Sequence, residues 1–415
     1  MLRHFRLYRI LRVGWAIVVV ALRYWWLGKR DAPQPKWDRA HRKTGEAIYT
    51  LATTLGGALV KLGQVHGARA DVLPAPFIEP LRGLHDRVPA RPLSKLKKHV
   101  ERELGRPIDE VFASIEPVAL AAASLAQVHK ATLKDGTPVV VKIQYPEARR
   151  LFPIDMGSLR RAVRVARWLN KKLDLRPLAN ELAEFVTLEL DFAREARSTE
   201  RVRANLAGDP DIVVPKIFTE LSTDKLLVLE FLSGTPLSKA EVLREKGVDL
   251  RDVARRVAGL YAKMIFGHGF FHGDPHPGNI LVLDDGRLAL LDFGLAKELP
   301  EGFAASTASL LASAMRGDSE RALAAAQAMG FQVPDGQVAT LLGVVRMLMG
   351  DYKDSGAMTE AFATSRIGIP THFTLIGRVM IILSGVSHTL VPGEKIIPAA
   401  LLAALAPHLV AKPAA

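Results

Sequence analysis

The sequence predicts an α+β chain of two lobes, the first built on strands and the second mainly helical, behind a helical extension. Three patterns predict it. β-branched runs cluster between Val118 and Leu232, where alternation and an Asp-Gly turn mark antiparallel strands. A second, shorter hairpin, Ile280 to Leu283 and Leu288 to Leu291 around Asp284-Asp285-Gly286, follows a Pro/Gly-rich loop; Asp and Gly supply the backbone angles such turns need. Beyond Gly294 the apolar residues recur at helical spacing, over Ala304 to Met315, Ser319 to Met329, Gln337 to Met349, Phe373 to Leu390 and Ile396 to Leu409. With 415 residues, nearly half of them apolar, the chain has material for more than one core. The expected division is a basic, apolar, membrane-associating segment over 1–30, the helical extension over 31–115, the strand lobe with an inserted helix over 116–233, and the helical lobe over 234–415.

Taken in order, the N-terminus joins positive charge to an apolar run. The net charge is +13, and basic residues crowd the start, opposed there only by Asp31 and Asp38. Such charge points to nucleic acid or to an anionic membrane. No aromatic-basic repeat or zinc spacing of a nucleic-acid module accompanies it, so the membrane surface is the expected partner. Val13 to Leu22 is apolar, followed after Arg23 by Tyr24, Trp25, Trp26 and Leu27. A span needs about 20 apolar residues. This run is shorter and closed by Arg23, which favours a helix lying at the interface or marginally inserted, with both tryptophans at headgroup level. A packed core helix and a cleaved signal peptide compete with that reading, the latter lacking a small-x-small site near Arg23 to Leu27. Zero cysteines fit a reducing cytoplasm.

Ala32 to Pro35 reads as a linker, and Thr44 to Val65 as a helix in which Gly56-Gly57 permits close approach. Lys61 and Gln64, three apart, share one helix face and can point into one pocket; alone, they also fit a solvated polar stripe. Arg69 to Pro74 and Leu84 to Pro89 continue the segment.

The strand lobe opens with Val118 to Lys130, where Ala121, Ala122 and Ala123 occupy a turn that would carry glycines if it were built to bring backbone amides close to phosphate. Pro138 to Gln144 is a β-branched strand with a single lysine, Lys142, and a lysine in an apolar run needs a partner or a phosphate. Tyr145 to Lys172 inserts a basic helix whose purpose the sequence does not show. Asn180 to Asn205 reads as one helix carrying Glu189, Asp191 and Glu195, with Asp191 and Glu195 on one face. Strands over Ile212 to Phe218 and Leu226 to Leu232 lead through Glu230, Phe231 and Leu232 to a hinge at Ser233 to Pro236.

The chemistry concentrates between His268 and Gly294. Asp274 and Asn279 lie five apart in the loop, and the hairpin returns the chain so that Asp292 stands beside Asn279. In phosphoryl transfer a loop carboxylate orients the attacking group while an amide oxygen and a second carboxylate hold Mg²⁺ on the phosphates. Gly294 lets the backbone turn away from the metal. His272 and His276 flank Asp274 in a pattern open to a metal reading, but no third imidazole or cysteine follows at ligand spacing.

Lys61-Leu62-Gly63-Gln64, the alanine-rich turn, Lys142, Glu189-Leu190-Asp191, Glu195, Asp274 to Asn279 and Asp292-Phe293-Gly294 occur in the order of the UbiB-type (AarF-like) atypical kinase family, which the chain resembles from about Gly56 to Pro392. The resemblance implies an atypical protein kinase-like bilobal fold whose extension carries the Lys-x-Gly-Gln motif. It implies that Glu195 pairs with Lys142, that Glu189 and Asp191 face Lys61 and Gln64, and that Ser124 and Gln127 lie near the phosphates. All these groups would converge on one cleft holding ATP, or ADP, with Mg²⁺ on Asn279 and Asp292. The implied activity is that of a membrane-associated kinase or ATPase supporting isoprenoid-quinone biosynthesis or lipid homeostasis at the cytoplasmic face of the inner membrane, with quinone-precursor lipids and quinone-biosynthesis enzymes as partners. Two departures from ordinary protein kinases stand out: His272-Gly273-Asp274 in place of His-Arg-Asp, and no Ala-Pro-Glu after Ala296-Lys297. Together they argue against phosphorylation-controlled activation-loop switching, and the absent Ala-Pro-Glu segment also weakens the case for a protein acceptor. A small-molecule phosphotransferase of the aminoglycoside or choline kinase type shares His-Gly-Asp, and a non-catalytic nucleotide-dependent scaffold is the third reading. Leu401 to Val410 is short, broken by Pro407, and reads as a terminal amphipathic helix.

Overall fold

Strand pairing organises the first of two units into which the chain divides, Met1–Ala196 with Ile217–Phe231; the second is Arg197–Lys216 with Leu232–Ala415. The computed structural model describes residues 2–29, 32–56, 60, 74–84, 90–169, 176–348, 367–394 and 396–410. Lys61 and Gln64 lie outside the described residues, as do Arg69 to Leu73 and His85 to Pro89.

In the first unit, helices α1 (Leu2–Lys29), α2 (Gln34–Leu55) and α3 (Leu93–Leu104) precede the strands. β1 (Phe112–Ile115), β3 (Ala126–Leu133), β4 (Pro138–Gln144) and β5 (Leu226–Glu230) form one antiparallel sheet in the order β1-β3-β4-β5, with β2 (Ala121–Ala122) paired to β3. Side chains alternate between the two faces of a strand, and β4 uses both. Val139, Val141 and Ile143 are fully buried against residues that include Leu96 and Val100 of α3. The inserted helix α4 (Ala148–Leu169) and α5 (Arg176–Glu189) supply Met156, Leu182 and Val186 to the same core. Val140 faces the other way, onto a cluster that holds Phe192 and Ala196 of α6 (Phe192–Asn205). Lys142, two residues on, shares that second face.

The extension differs from the expectation in three ways. The linker is shorter: α2 starts at Gln34 and takes Pro35 into its first turn, where the missing N–H costs nothing. It ends at Leu55 because Gly56 adopts φ +65°, an angle that favours glycine. Gly56 has open space around it and Gly57 lies outside the described residues; close approach is found at Gly45, where an added Cβ would lie 2.3 Å from the Phe77 carbonyl oxygen. Third, Arg9, which the sequence offers only as one of the basic residues crowding the N-terminus, is completely buried. Its guanidinium forks onto both oxygens of Asp155 at 2.6 Å and donates to the Leu55 and Gly56 carbonyls at 2.6 and 3.0 Å. One side chain thereby ties α1 to the inserted helix and satisfies carbonyls at the end of α2.

In the second unit, the strand Ile212–Val213 runs parallel to β9 (Leu288–Leu290), which pairs with β8 (Ile280–Leu283), itself paired to β6 (Gly234–Pro236). Helix α7 (Leu250–Ala262) starts on Asp249, whose carboxylate accepts from the Arg251 and Asp252 amides, and runs into a π-turn at Lys263–Gly267. β7 (Phe270–Phe271) pairs with β10 (Lys297–Glu298). Helices α8 (Phe303–Arg316), α9 (Ser319–Ala328), α10 (Val338–Leu348), α11 (Thr371–Leu390) and α12 (Ile396–Val410) complete it, close to the helices that periodicity predicts. Tyr261, Phe271, Ile280, Leu290 and Phe293 sit in its core.

Breaking a buried ion pair from one side leaves the other charge uncompensated, so Arg9→Ala or Asp155→Ala alone is expected to cost about 3–5 kcal/mol. Replacing both by leucine should recover much of that loss. Urea unfolding of the three variants checks the order.

Candidate functional site

Lys142 Nζ lies 2.7 and 2.9 Å from the two carboxylate oxygens of Glu195. Glu195 is 2% exposed, and a carboxylate so enclosed requires a cation. The local chain explains how it arrives there. One continuous helix over Asn180 to Asn205 does not form. The chain breaks after Glu189, at the end of α5, and restarts at Phe192. Asp191 becomes the cap of α6: its Oδ1 accepts from the Arg194 amide at 2.9 Å, and its carbonyl from the Glu195 amide at 3.0 Å. Asp191 and Glu195 therefore do not share a helix face, and Glu195 enters from the first turn over the β4 face that bears Lys142. Lys142 Nζ also sits 5.2 Å from the Phe192 ring centroid.

The break is fastened by two residues that sequence reasoning passed over. The Leu190 carbonyl accepts from Arg149 Nη2 at 2.8 Å and from Gln144 Nε2 at 3.0 Å. Arg149 also reaches Gln144 Oε1 at 3.0 Å, the Asp224 carbonyl at 2.7 Å and the Asp224 carboxylate. Partial burial pushes the Asp224 carboxyl up, but the Arg149 hydrogen bond and charge outweigh it and hold the group below the usual carboxylate range. An arginine five residues beyond a strand carries no local signal for this role.

The alanine-rich segment is a hairpin. Ala121 and Ala122 pair with Val128 and Gln127, and the Ala123 amide closes the turn on the Ala126 carbonyl at 2.8 Å, with Ser124 buried inside it. Gln127 is held on the Arg91 backbone: its Oε1 accepts from the Arg91 amide at 2.8 Å and its Nε2 donates to the Arg91 carbonyl at 2.9 Å. Arg91 in turn pairs with Glu147 and lies over the Tyr145 ring at 4.0 Å. Glu230 ends β5 opposite Val139, and the Phe231 amide donates to the Pro138 carbonyl at 3.2 Å. Leu232 belongs to the second unit and packs beside Leu281, Leu283 and Ala289.

In the second unit the loop is built around His272, which has no exposed surface. Its Nε2 faces the Leu291 carbonyl at 2.8 Å, so that nitrogen carries the hydrogen. Nδ1 then accepts, from the Tyr261 hydroxyl at 2.9 Å and more weakly from the Asp274 amide at 3.4 Å. With both nitrogens engaged, His272 is a structural residue of the loop, while exposed His276 accepts at Nδ1 from the Gly278 amide at 3.2 Å. The His272 ring fixes the Asp274 turn to the strand that delivers Asp292. Burial, with the Asp274 charge adding to it, pushes the Tyr261 phenol well above its ordinary range, keeping it a hydroxyl donor. Gly273 has a steric reason: an added Cβ would lie 2.1 Å from the Leu295 carbonyl oxygen. An arginine there, as in His-Arg-Asp, has no room.

Asn279 Nδ2 reaches the Asp274 carbonyl at 3.3 Å and its Oδ2 at 3.5 Å. The Leu291 amide donates to the Asn279 carbonyl at 2.8 Å, so the hairpin returns Asp292 next to Asn279. Asp292 has φ +59°, the one positive value outside glycine among the described residues, and its Oδ1 accepts from the Gly294 amide at 3.2 Å. Such strain persists where the surroundings over-determine it; here β9 precedes it and buried Phe293 follows. Among the described residues no cluster of three or more His, Cys, Asp or Glu is present. Two carboxylates and an amide oxygen are too few for a self-sufficient metal cage. They fit Mg²⁺, which keeps waters and takes one or two carboxylates together with phosphate.

Gly273→Ala should force the loop away from Leu295, at about 1–3 kcal/mol or more of overpacking, read by thermal unfolding; Gly278→Ala, with a flexible side chain as its neighbour, serves as the milder control. Arg149→Ala should cost about 1.5–3 kcal/mol. Arg149→Lys is expected to fail as a rescue, because one ammonium cannot reproduce the guanidinium fork.

The ABC1 atypical kinase-like domain model matches residues 83–326, more than half of the chain. AarF domain-containing protein kinase 1 of Gallus gallus is 34% identical over 325 residues, covering 75% of this chain and 63% of the relative. A Synechocystis protein, sll1770, is 30% identical over 400 residues, covering 91% of this chain and 68% of the relative. The chain spans about two thirds of the length of these relatives. A solved structure of Rv3197 from Mycobacterium tuberculosis in complex with erythromycin superposes with a TM-score of 0.57 at 26% identity, over 86% of this chain and 97% of that one. A lysine bonded to both oxygens of a buried helix glutamate, a loop carrying Asp274 and Asn279, and a returning Asp292 are what such a domain needs, and the chain belongs to the ABC1 (AarF-type) atypical kinase-like family.

Proposed function

We propose that the protein binds a Mg-nucleotide, ATP or ADP, and transfers or hydrolyses its terminal phosphoryl group at an anionic membrane surface, in support of isoprenoid-quinone biosynthesis or lipid homeostasis. The observation that carries this reading is the Lys142–Glu195 pair, a buried carboxylate holding one ammonium on a strand face. Lys142 would neutralise phosphate charge. Asn279 and Asp292 would hold Mg²⁺, which when bound supplies positive charge to the phosphate oxygens. Asp274, tied to Asn279 and fixed through His272, would orient the acceptor hydroxyl or water and receive its proton.

Ala121, Ala122 and Ala123 stiffen a turn that flexible glycines would leave free to approach phosphate, which favours altered nucleotide preference. Backbone groups around Glu230, Phe231 and Leu232 are the proposed adenine contacts. Lys61 and Gln64, with Glu189 and Asp191 as their proposed partners, would occlude a protein acceptor and favour a lipid-like acceptor or water. Quinone-precursor lipids and quinone-biosynthesis enzymes are the proposed partners. The apolar helix over Leu7–Lys29, long enough to cross a membrane, supports membrane association, and the cytoplasmic face of the inner membrane is the proposed location.

Asp292→Asn should lower phosphate release by about 10²–10³-fold and abolish Mg²⁺-dependent tightening of nucleotide binding, read by calorimetry. Lys142→Met should weaken binding even without Mg²⁺. Cells carrying Asp292→Asn in place of the native chain are expected to accumulate a quinone precursor in their lipid extract; an unchanged profile would remove the pathway assignment while leaving the nucleotide chemistry intact.

A further inference from the structure

We infer that α1 lies flat in one leaflet of an anionic phospholipid bilayer, with the rest of the first unit bolted to its inner side. The inference rests on the membrane part of the proposed function and specifies its mode. Leu7, Leu11, Trp15, Val18, Leu22 and Trp26 are each 45–69% exposed. At 3.6 residues per turn their spacing of three and four confines them to an arc of about 100° and a length of about 28 Å. Surface apolar residues scattered singly need no explanation, but a continuous row of this size does.

The opposite side of the same helix belongs to the fold. Arg9, Val13 and Leu27 are buried there. Arg23 donates to the Thr44 hydroxyl at 3.2 Å, and the Tyr24 hydroxyl meets His41 Nδ1 at 2.8 Å. The helix is thus held from its first turns to its last. A crossing orientation would carry α2 into hydrocarbon with it, including Asp38, Lys43 and Glu46, which lipid does not tolerate. A helix fastened to the protein along one side and exposing an apolar row on the other is instead placed to rest at the boundary of headgroup and acyl chain.

Charge selects the occupant. α1 contains no Asp or Glu. Arg12 lies 5.5 Å from the Tyr8 ring centroid and Lys29 Nζ 4.6 Å from that of Trp25, so each end of the stripe presents a cation beside an aromatic ring. That is the arrangement suited to lipid phosphates with rings at headgroup level. A second copy docked on the same face would bring these cations together with no acid from either helix to offset them.

The experiment uses the full chain in two forms that each retain one tryptophan, Trp15 or Trp26, the other four being replaced by phenylalanine. Both are mixed with phosphatidylcholine vesicles with or without phosphatidylglycerol, and with lipids brominated at shallow or deep acyl positions. Expected are co-sedimentation that is roughly tenfold or more weaker without the anionic lipid, and quenching of Trp15 and Trp26 at the same shallow depth. Trp15 quenched at the bilayer centre with Trp26 shallow would mean a spanning helix, and sedimentation without quenching would mean another surface binds; either overturns the inference and leaves membrane association standing. No sedimentation, with a concentration-dependent dimer in solution, overturns both and assigns the stripe to a second copy. Mg-nucleotide binding, measured on the same variants, is expected to be unchanged throughout.

Discussion

A lysine placed on the inner face of a central strand has to be answered by a negative charge, and the first unit is arranged to deliver one. Val139, Val141 and Ile143 of β4 are fully buried and Val140 packs on the face that Lys142 shares, so the ammonium lies largely enclosed, with 17% of its side chain exposed. The answering carboxylate comes from a helix that begins at the right place only because the preceding one stops. The two-residue gap at Leu190 and Asp191, the cap supplied by Asp191 and the Arg149–Gln144 fastening are parts of one solution. Their common effect is to set the height and angle at which Glu195 enters.

The second unit solves a related problem with neutral groups. A loop rich in proline and glycine has few intrinsic reasons to hold one shape. His272 supplies them by bonding simultaneously to the strand before Asp292, to Tyr261 of α7 and to the loop's own amide. Edge-on contact with Phe293 at 5.1 Å closes the ring in. Because Gly273 has no side chain, the loop can press against Leu295 and share its position. Within the loop itself, Asn279 adds direct contacts to the Asp274 carbonyl and carboxylate.

Much of this was legible in the sequence, for a reason that differs from residue to residue. Lys142 was legible because a charge in an apolar run is conspicuous, and Asp274, Asn279 and Asp292 because a short hairpin fixes their spacing. The helix break was not: Glu189 to Ala196 is compatible with an uninterrupted helix, and only the tertiary contacts of Arg149 make a break the better solution. Tyr261 looks like any apolar residue of an amphipathic helix until its hydroxyl is seen to have a buried acceptor. Arg9 was hidden among other arginines, since composition cannot distinguish a solvated cation from one with a partner 146 residues away. Gly273 was noticed as a departure, but its cause, the Leu295 backbone, lies on a segment no local pattern connects to it.

The Arg9–Asp155 bolt also bears on how the N-terminal segment relates to the remainder. A leader that is cut off leaves nothing behind in the mature fold. Here, loss of the segment through Arg9 would take from Asp155 its buried arginine and from the Leu55 and Gly56 carbonyls the guanidinium that donates to them. The helix is better regarded as an inner wall of the domain that happens to have an oily outside.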